Sequence, residues 1–313
     1  MKRFINLGIV TCALLVASCN NGRQQDKGAD TADSAKTVSI THELGTVEVP
    51  LNPKRVVVLD FGELENLDAI GIKPVAIAKA GMPAYLKKFQ EDTSIADVGS
   101  IVEISLEKIN EAKPDLIILG GRLRDSYGAL SKIAPTIYPK WDTDDVLGAL
   151  QKNTSDLGKI FGREDDMQKA FDDLKSKAEA VKKKASGSDL KALILLHNNG
   201  RFSAYGSKSR FGIIHDVLGV KEAKPGLSTH IHGNVASNEF IQQTNPDILY
   251  IIDRSAAIGD KPLKREDIEN KLVRETKAFK NGKIVYLDSE AWYSSGTGLA
   301  SIGIMIDEIG KSL

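Results

Sequence analysis

Cysteine is almost missing from this chain, with two in 313 residues. Two cannot build a disulfide scaffold, and no Cys/His cluster has the spacing of a structural zinc site. A surplus of charge is missing too, because 42 Lys+Arg face 42 Asp+Glu. That excludes the basic excess of a nucleic-acid binder and the acidic excess of a disordered chain. Signatures of catalysis are also lacking. No G-x-S-x-G elbow offers a nucleophile. No Walker-type Gly-Lys-Ser/Thr occurs, and Gly296-Thr297-Gly298 lacks the third glycine of a dinucleotide loop, with Ser301 in its place. No spacing singles out a catalytic carboxylate pair, so an enzyme is not expected. What is present is 42% apolar and 27% charged, the balance of a soluble globular protein. The length suits about two domains.

The N-terminus reads as an address. Lys2 and Arg3 precede a mostly apolar run over residues 7–16. That run is too short for a bilayer core, which needs ~20 apolar residues, and it fits the apolar region of a secretory signal. Val16-Ala17-Ser18-Cys19 then resembles the lipobox of bacterial lipoproteins, in which the cysteine is acylated and becomes the mature N-terminus. An ordinary signal peptide with an incidental cysteine is the alternative. On the lipoprotein reading residues 1–18 are the signal peptide, Cys19 carries lipid, and the polar residues up to 37 form a flexible tether. The protein is then expected on the extracytoplasmic (periplasmic) side of a bacterial cell envelope, held to a membrane by its lipid. Cys12 leaves with the signal, so no intrachain disulfide is possible. The mature charge becomes 40 − 42 = −2.

The body alternates short β-branched runs with helical stretches, as a parallel-sheet α/β protein does. Strands are expected near residues 56–59, 75–78, 116–119, 136–138, 192–196, 248–252 and 284–287. Helices are expected at 64–70, 105–112 and 211–218, and from Leu299 to the C-terminus. Residues 163–184 hold no proline or internal glycine, and Met167, Phe171, Leu174, Ala178 and Val181 mark one face of a continuous helix. It would be ~33 Å long. The organisation expected is an N-terminal α/β lobe over 38–162, a backbone helix over 163–186 and a C-terminal α/β lobe over 187–313. Each lobe is expected to be Rossmann-like with a mainly parallel sheet.

The halves echo each other. Ser105-Leu106-Glu107 leads through Pro114-Asp115 and an apolar run to Arg122, and Ser237-Asn238-Glu239 leads through Pro246-Asp247 to Arg254. The offset is 132 throughout (237 − 105 and 254 − 122), with six identities in eighteen positions. The echo puts one glutamate early on a helix of each lobe. It puts one arginine just past a strand's C-terminal end, where open α/β sheets bind ligands.

Arginine is the rarer cation, 11 against 31 lysines. A guanidinium is a rigid, permanently charged, multi-donor group. Arg122, Arg254 and Arg210, the last in Ser209-Arg210-Phe211-Gly212, would together suit a compact ligand with about three negative charges. Arg124, Arg163 and Arg201 fit surface ion pairs better. His230 and His232 share the loop Thr229-His230-Ile231-His232-Gly233, and Tyr293 follows the strand at 284–287. Imidazole and phenolate are both competent ligands for ferric iron. On residues alone, a His-x-His is more often a plain surface loop, and Trp292 and Tyr293 fit core or rim aromatics equally.

The lipobox, the two halves bridged by a long helix and the Glu…Pro-Asp echo resemble the helical-backbone class of ABC-importer substrate-binding proteins. Within that class the chain is similar to catecholate-siderophore-binding lipoproteins for ferric enterobactin-type or petrobactin-type complexes. Gly120-Gly121-Arg122, Ser203-Ala204-Tyr205-Gly206, Ser209-Arg210-Phe211-Gly212, His232-Gly233, Asp253-Arg254 and Trp292-Tyr293 carry the likeness. It runs from about Val38 to the C-terminus and is strongest in the second half. The resemblance implies that Arg122, Arg210 and Arg254 hold a trianionic ferric tris-catecholate. It implies that His232 and Tyr293 complete iron coordination when the siderophore supplies four oxygens, although His230 leaves open which histidine does so. It further implies that Glu107 and Glu239 dock the lobes onto the permease dimer, which works with its ATPase. The protein would act as a monomer without a cofactor, and ferric iron would be cargo within the siderophore complex. Within the fold, haem, a corrinoid or a hydroxamate siderophore are alternative ligands. A lipid-anchored metalloenzyme using His230 and His232 is the alternative of another class.

Overall fold

A computed structural model describes residues 36–313, so the signal peptide, Cys19 and nearly all of the tether assigned above lie outside the described residues. Two strands come first, β1 (Thr37–His42) and β2 (Gly45–Pro50), paired antiparallel with Thr37 opposite Pro50. The first strand thus begins on the last residue assigned to the tether.

The N-terminal sheet is wholly parallel. It is built from β3 (Val56–Val58), β4 (Ala76–Ile77), β5 (Ala96–Asp97), β6 (Leu116–Ile118) and β7 (Thr136–Ile137), in the order β5-β4-β3-β6-β7. Alternate residues of a strand face opposite sides. Val56, Val58 and Ile118 therefore pack on one face with Leu64 and Leu67 of the helix α1 (Phe61–Ala69). Val57 and Ile117 pack on the other with Ile109 of α2 (Leu106–Glu111). Helices on both faces are why these strands read as unbroken Val/Ile runs. A 16-residue helix, α3 (Val146–Phe161), was not assigned from sequence. Its buried face includes Asn153 and Thr154, which blurs the apolar period, although its ends carry ordinary signals: Asp145 accepts from the Gly148 amide, and Gly162 closes it at φ +61°.

The long helix α4 (Glu164–Ser186) spans 23 residues. Three acids open it and Lys183 and Lys184 close it, as the helix dipole favours. Met167 sits in the N-terminal core, whereas Phe171, Leu174, Ala178 and Ala185 sit in the C-terminal core. The helix passes from one hydrophobic core into the other.

The C-terminal sheet is mainly parallel, as expected, with one strand reversed. Its strands are β8 (Lys191–Asn198), β9 (Arg201–Tyr205), β10 (Lys221–Glu222), β11 (Asn234–Ala236), β12 (Ile248–Asp253) and β13 (Ile284–Tyr286). The order is β11-β9-β8-β12-β13, with β10 also beside β8. β8, β10, β12 and β13 pair in parallel, whereas β9 pairs antiparallel with both β8 and β11 and so runs alone against the rest. The cause is local: Asn199 (φ 49°) and Gly200 (φ 78°) both have positive φ and turn β8 back into β9 as a two-residue hairpin. The helix expected over 211–218 is a single turn, Ile213–Asp216, although Phe211 and Leu218 are buried as a core segment requires.

Two more helices matter, α5 (Asn238–Thr244) and α6 (Leu299–Ser312). α6 lies alongside α4 and runs parallel to it: Gly303 faces Leu174, Asp307 meets Lys177, and Gly310 faces Val181. The start of α6 also presses on α1 in the other lobe. A Cβ on Gly62 would stand 2.1 Å from Thr297 Oγ1, and one on Gly298 2.3 Å from the Gly62 carbonyl. Only glycine permits that approach. The Leu299 amide donates to Asn66 Oδ1 at 3.0 Å. Glu65, 2% exposed, accepts four bonds here: from Tyr85 Oη (2.9 Å), Ser295 Oγ (2.6 Å), the Ser301 amide (2.7 Å) and Ser301 Oγ (2.9 Å). The lobes are therefore joined by the bridging helix and by this buried clasp, and the described residues form one compact unit.

Candidate functional site

The sequence echo has a structural counterpart in both lobes. Ser105 caps α2 by accepting from the Lys108 amide, and Ser237 caps α5 by accepting from the Phe240 amide, both at 3.2 Å. Lys113 (φ 45°) and Asn245 (φ 46°) each turn left-handed just before proline, which disfavours the right-handed helical region for its predecessor. Asp115 then accepts from the Lys54 and Arg55 amides (2.7 and 2.8 Å), and Asp247 from the Lys191 amide (3.0 Å). Each aspartate ties the start of the sheet's neighbouring strand to the next central strand. Arg122 and Arg254 follow those strands, β6 and β12.

These arginines converge with Arg210 on one tyrosine. Tyr293 lies in the turn Glu290–Ser294 that follows β13. Arg122 Nη2 and Arg210 Nη2 both donate to its carbonyl oxygen at 2.7 Å, and Arg254 Nε donates to its hydroxyl at 2.7 Å. The three guanidinium carbons stand 5.4, 4.3 and 5.4 Å from the Tyr293 ring centroid, within cation–π range. Asn198 Oδ1 accepts a further bond from Arg254 Nη1 at 2.8 Å. Behind it, the Gly200 amide donates to His197 Nε2, so Nδ1 carries the proton and donates to Asp253 Oδ1 at 2.7 Å. Asp253 in turn accepts from the Ser255 and Leu263 amides, fixing the turn that starts at Arg254.

Like charges at this spacing repel. Burial first, and then the charge of Arg122, lower the proton affinity of Arg210 below its ordinary value. Among the described residues none of the three arginines forms an ion pair, whereas Arg124 pairs with Glu43 and Arg163 with Asp166. A ring face, a carbonyl and a hydroxyl hold the cluster, and its remaining N–H donors are left for an anion. Arg122 and Arg210 border a cleft of about 390 Å³ at the C-terminal ends of the strands. Trp141 from one lobe and Ile231 from the other line it too, 49% and 51% exposed, so each keeps apolar surface free for a ligand. Neither was singled out in the sequence.

His230 and His232 are exposed in their loop. Their rings lie 5.3 Å apart, and the His232 amide donates to His230 Nδ1 at 3.2 Å. Among the described residues no hydrogen bond or ring contact joins either one to Tyr293. No group of three His, Cys, Asp or Glu side chains there is placed to hold a metal. The structure thus gathers Arg122, Arg210, Arg254 and Tyr293 and leaves His232 on the adjacent loop. Glu107 and Glu239 are exposed in the first turns of α2 and α5. Bonds from its own amide and from Ser237 hold the Glu239 carboxyl below its usual range.

The model of the periplasmic binding protein family matches residues 56–291. The chain belongs to that family. Its members bind rather than transform their cargo. The chain is similar to the petrobactin-binding protein YclQ of Bacillus subtilis, 40% identical over 316 residues that cover 100% of this chain and 99% of the relative. The crystal structure of that relative superposes with a TM-score of 0.86, covering 88% of this chain and 98% of the other. The ferric-anguibactin-binding protein FatB of Vibrio anguillarum is 38% identical, covering 88% of this chain and 87% of its own length. The catecholate-siderophore binding protein VctP of Vibrio cholerae is 33% identical with a TM-score of 0.82, covering 88% of this chain and 99% of its own. The two-lobed α/β architecture expected from the sequence is that of this family. No helix among the described residues is long and apolar enough to cross a membrane.

Proposed function

We propose that the protein captures a ferric catecholate siderophore in the interlobe cleft and delivers it to an ABC permease for iron uptake. The carrying observation is the convergence of three guanidinium groups without ion pairs on Tyr293, an arrangement that an anion of about three charges relieves. A central strand of each lobe is followed by an arginine at the equivalent position, Arg122 after β6 and Arg254 after β12, so both lobes contribute charge to the ligand. Relatives named for petrobactin, for ferric anguibactin and for catecholate siderophores support this chemistry. Tyr293 and a histidine of the 229–233 loop, His232 before His230, complete the iron's ligands when the siderophore supplies four oxygens. Glu107 and Glu239 present one carboxylate per lobe to the permease dimer. Lipid on Cys19 holds a monomeric protein at the membrane, with residues 38–162 and 187–313 as its lobes around the 163–186 helix.

A fluorescence-quenching titration tests the ligand class. Ferric tris-catecholate is expected to bind far more tightly than a ferric hydroxamate or haem, and equal affinity for all three would reject the arginine-based reading.

A further inference from the structure

A second cavity, of about 330 Å³, adjoins the cleft on the N-terminal lobe. It lies between the β1–β2 hairpin, α3 and the chain after β7, with Ile40, Ile137 and Leu157 among its apolar walls. Glu63, Tyr138, Lys140, Trp141 and Asn153 border both cavities, so the two meet at these side chains.

Most of the charge around this side cavity is already matched. Glu43 pairs with Arg124, Lys140 with Asp142 at 2.9 Å, and Lys152 with Asp156, which Lys159 also approaches at 3.5 Å. His42 uses Nδ1 to accept from the Leu44 amide at 3.2 Å. Its Nε2 is buried with no partner among the described residues. Among those residues, Glu63 is the one acid at this cavity with no cation beside it. It is 2% exposed, and its one hydrogen bond among the described side chains comes from Asn66 Nδ2, at 3.2 Å to Oε2. No cation there pairs with it. Burial, and then the neighbouring Asp60, push its carboxyl up to about 8. A buried carboxyl with one neutral donor and no cation is costly to ionise, and the arginine cluster makes no use of it.

We propose that the side cavity is a subsite for an amine-bearing arm of the siderophore, with Glu63 receiving the protonated amine and the apolar walls the arm's methylenes. The inference rests on the cleft being a ferric-catecholate site and adds a cationic feature to that substrate. On binding, the neutral Glu63 acid releases its proton to water, the ammonium keeps its own, and a carboxylate–ammonium pair forms.

The test uses two synthetic ferric tris-catecholates of equal length, one linked through secondary amines and one through ether oxygens. Each is titrated into the purified protein and its Glu63→Gln variant, which mimics the neutral acid and so preserves the empty state. The substitution is expected to weaken the amine-linked complex about tenfold and to leave the ether-linked one within about twofold. Calorimetry at pH 7 in two buffers of different ionisation enthalpy should show close to one proton released when the amine-linked complex binds the wild type, and none with the variant. Equal effects on both complexes, or binding without proton release, would overturn the subsite while leaving the cleft reading intact. If neither complex binds the wild type, the cleft reading itself fails.

Discussion

The two walls of the cleft are chemically unlike, although a repeat builds both lobes. On the C-terminal side Arg210 lines the cleft and meets Arg254 at Tyr293, with Asn198 and the His197–Asp253 pair holding Arg254 in place. The N-terminal wall supplies Arg122 alone and sets beside it the carboxyls of Asp60 and Glu63. Burial is the leading cause that raises both carboxyls above their ordinary values. The repeat therefore fixes where each arginine starts, and the surroundings decide what each wall prefers. One wall concentrates positive charge. The other is a mixed surface that can meet a donor or a cation.

The sharpest way to break this contrast is to strip the C-terminal wall. Replacing Arg210 and Arg254 together by alanine should lower ferric tris-catecholate affinity by about 100-fold or more, read by fluorescence quenching, because two charge-assisted contacts are lost. Arg122→Ala should cost less, since one guanidinium leaves a cluster relieved of repulsion. A larger loss from Arg122 than from the pair would reverse the assignment of the walls.

Next in size is the clasp between the lobes. Glu65→Ala would leave the Ser301 amide and three hydroxyls without their acceptor in a buried contact. A loss of about 3 kcal/mol in unfolding free energy is expected by denaturant titration. Unchanged stability would mean that the bridging helix alone holds the lobes.

The acid of the N-terminal wall gives a smaller effect with a definite sign. The Glu63 carboxyl sits at about 8 in the folded protein against 4.5 as its ordinary value. The folded state therefore binds more protons than the unfolded state between these values, and stability falls as pH rises through that window. The Glu63→Gln variant should show a flatter fall between pH 5 and 8, measured as the pH dependence of Tm. A wild type and variant with parallel profiles would place no such proton on Glu63.

The smallest effect on binding is expected where the lobes match most closely. Glu107→Ala and Glu239→Ala should each leave ligand affinity within about twofold, because both carboxylates are exposed and belong to neither cavity. Each should reduce iron uptake in cells. Wild-type uptake by both variants would remove the docking role.

Much of this was legible because its signals are local. The Ser caps, the Pro-Asp turn and the run of β-branched residues act within a few positions, so the echo of residues 105–122 and 237–254 could be read and placed in three dimensions. Arg122, Arg210 and Arg254 could be nominated because arginine is scarce. Their meeting point could not, because two of them bond the Tyr293 carbonyl, and a backbone oxygen leaves no mark on the sequence. Glu65 and Glu63 were invisible for a related reason: a glutamate in a helix looks solvent-facing until another lobe or an α3 helix covers it. The β8–β9 hairpin is a different case, since Asn199-Gly200 is a strong turn signal that the alternating strand–helix pattern overshadowed.

The parallel pairing of α4 with α6 has a mechanical consequence. Two rods bonded along their length behave as a laminated beam, which resists bending in the plane containing both rods far more than bending out of it. Lys184 Nζ donates to the Gly310 carbonyl at 2.7 Å, and a Cβ on Gly310 would stand 2.9 Å from Val181, so the plies are held close near their far ends. The near end of α6 is held to α1 through the clasp at Glu65. The softest deformation left to the molecule is then a flexing across that plane. Cargo loading would be registered as a small, directed change in the span between the tips of α2 and α5, in the manner of calipers rather than a closing jaw.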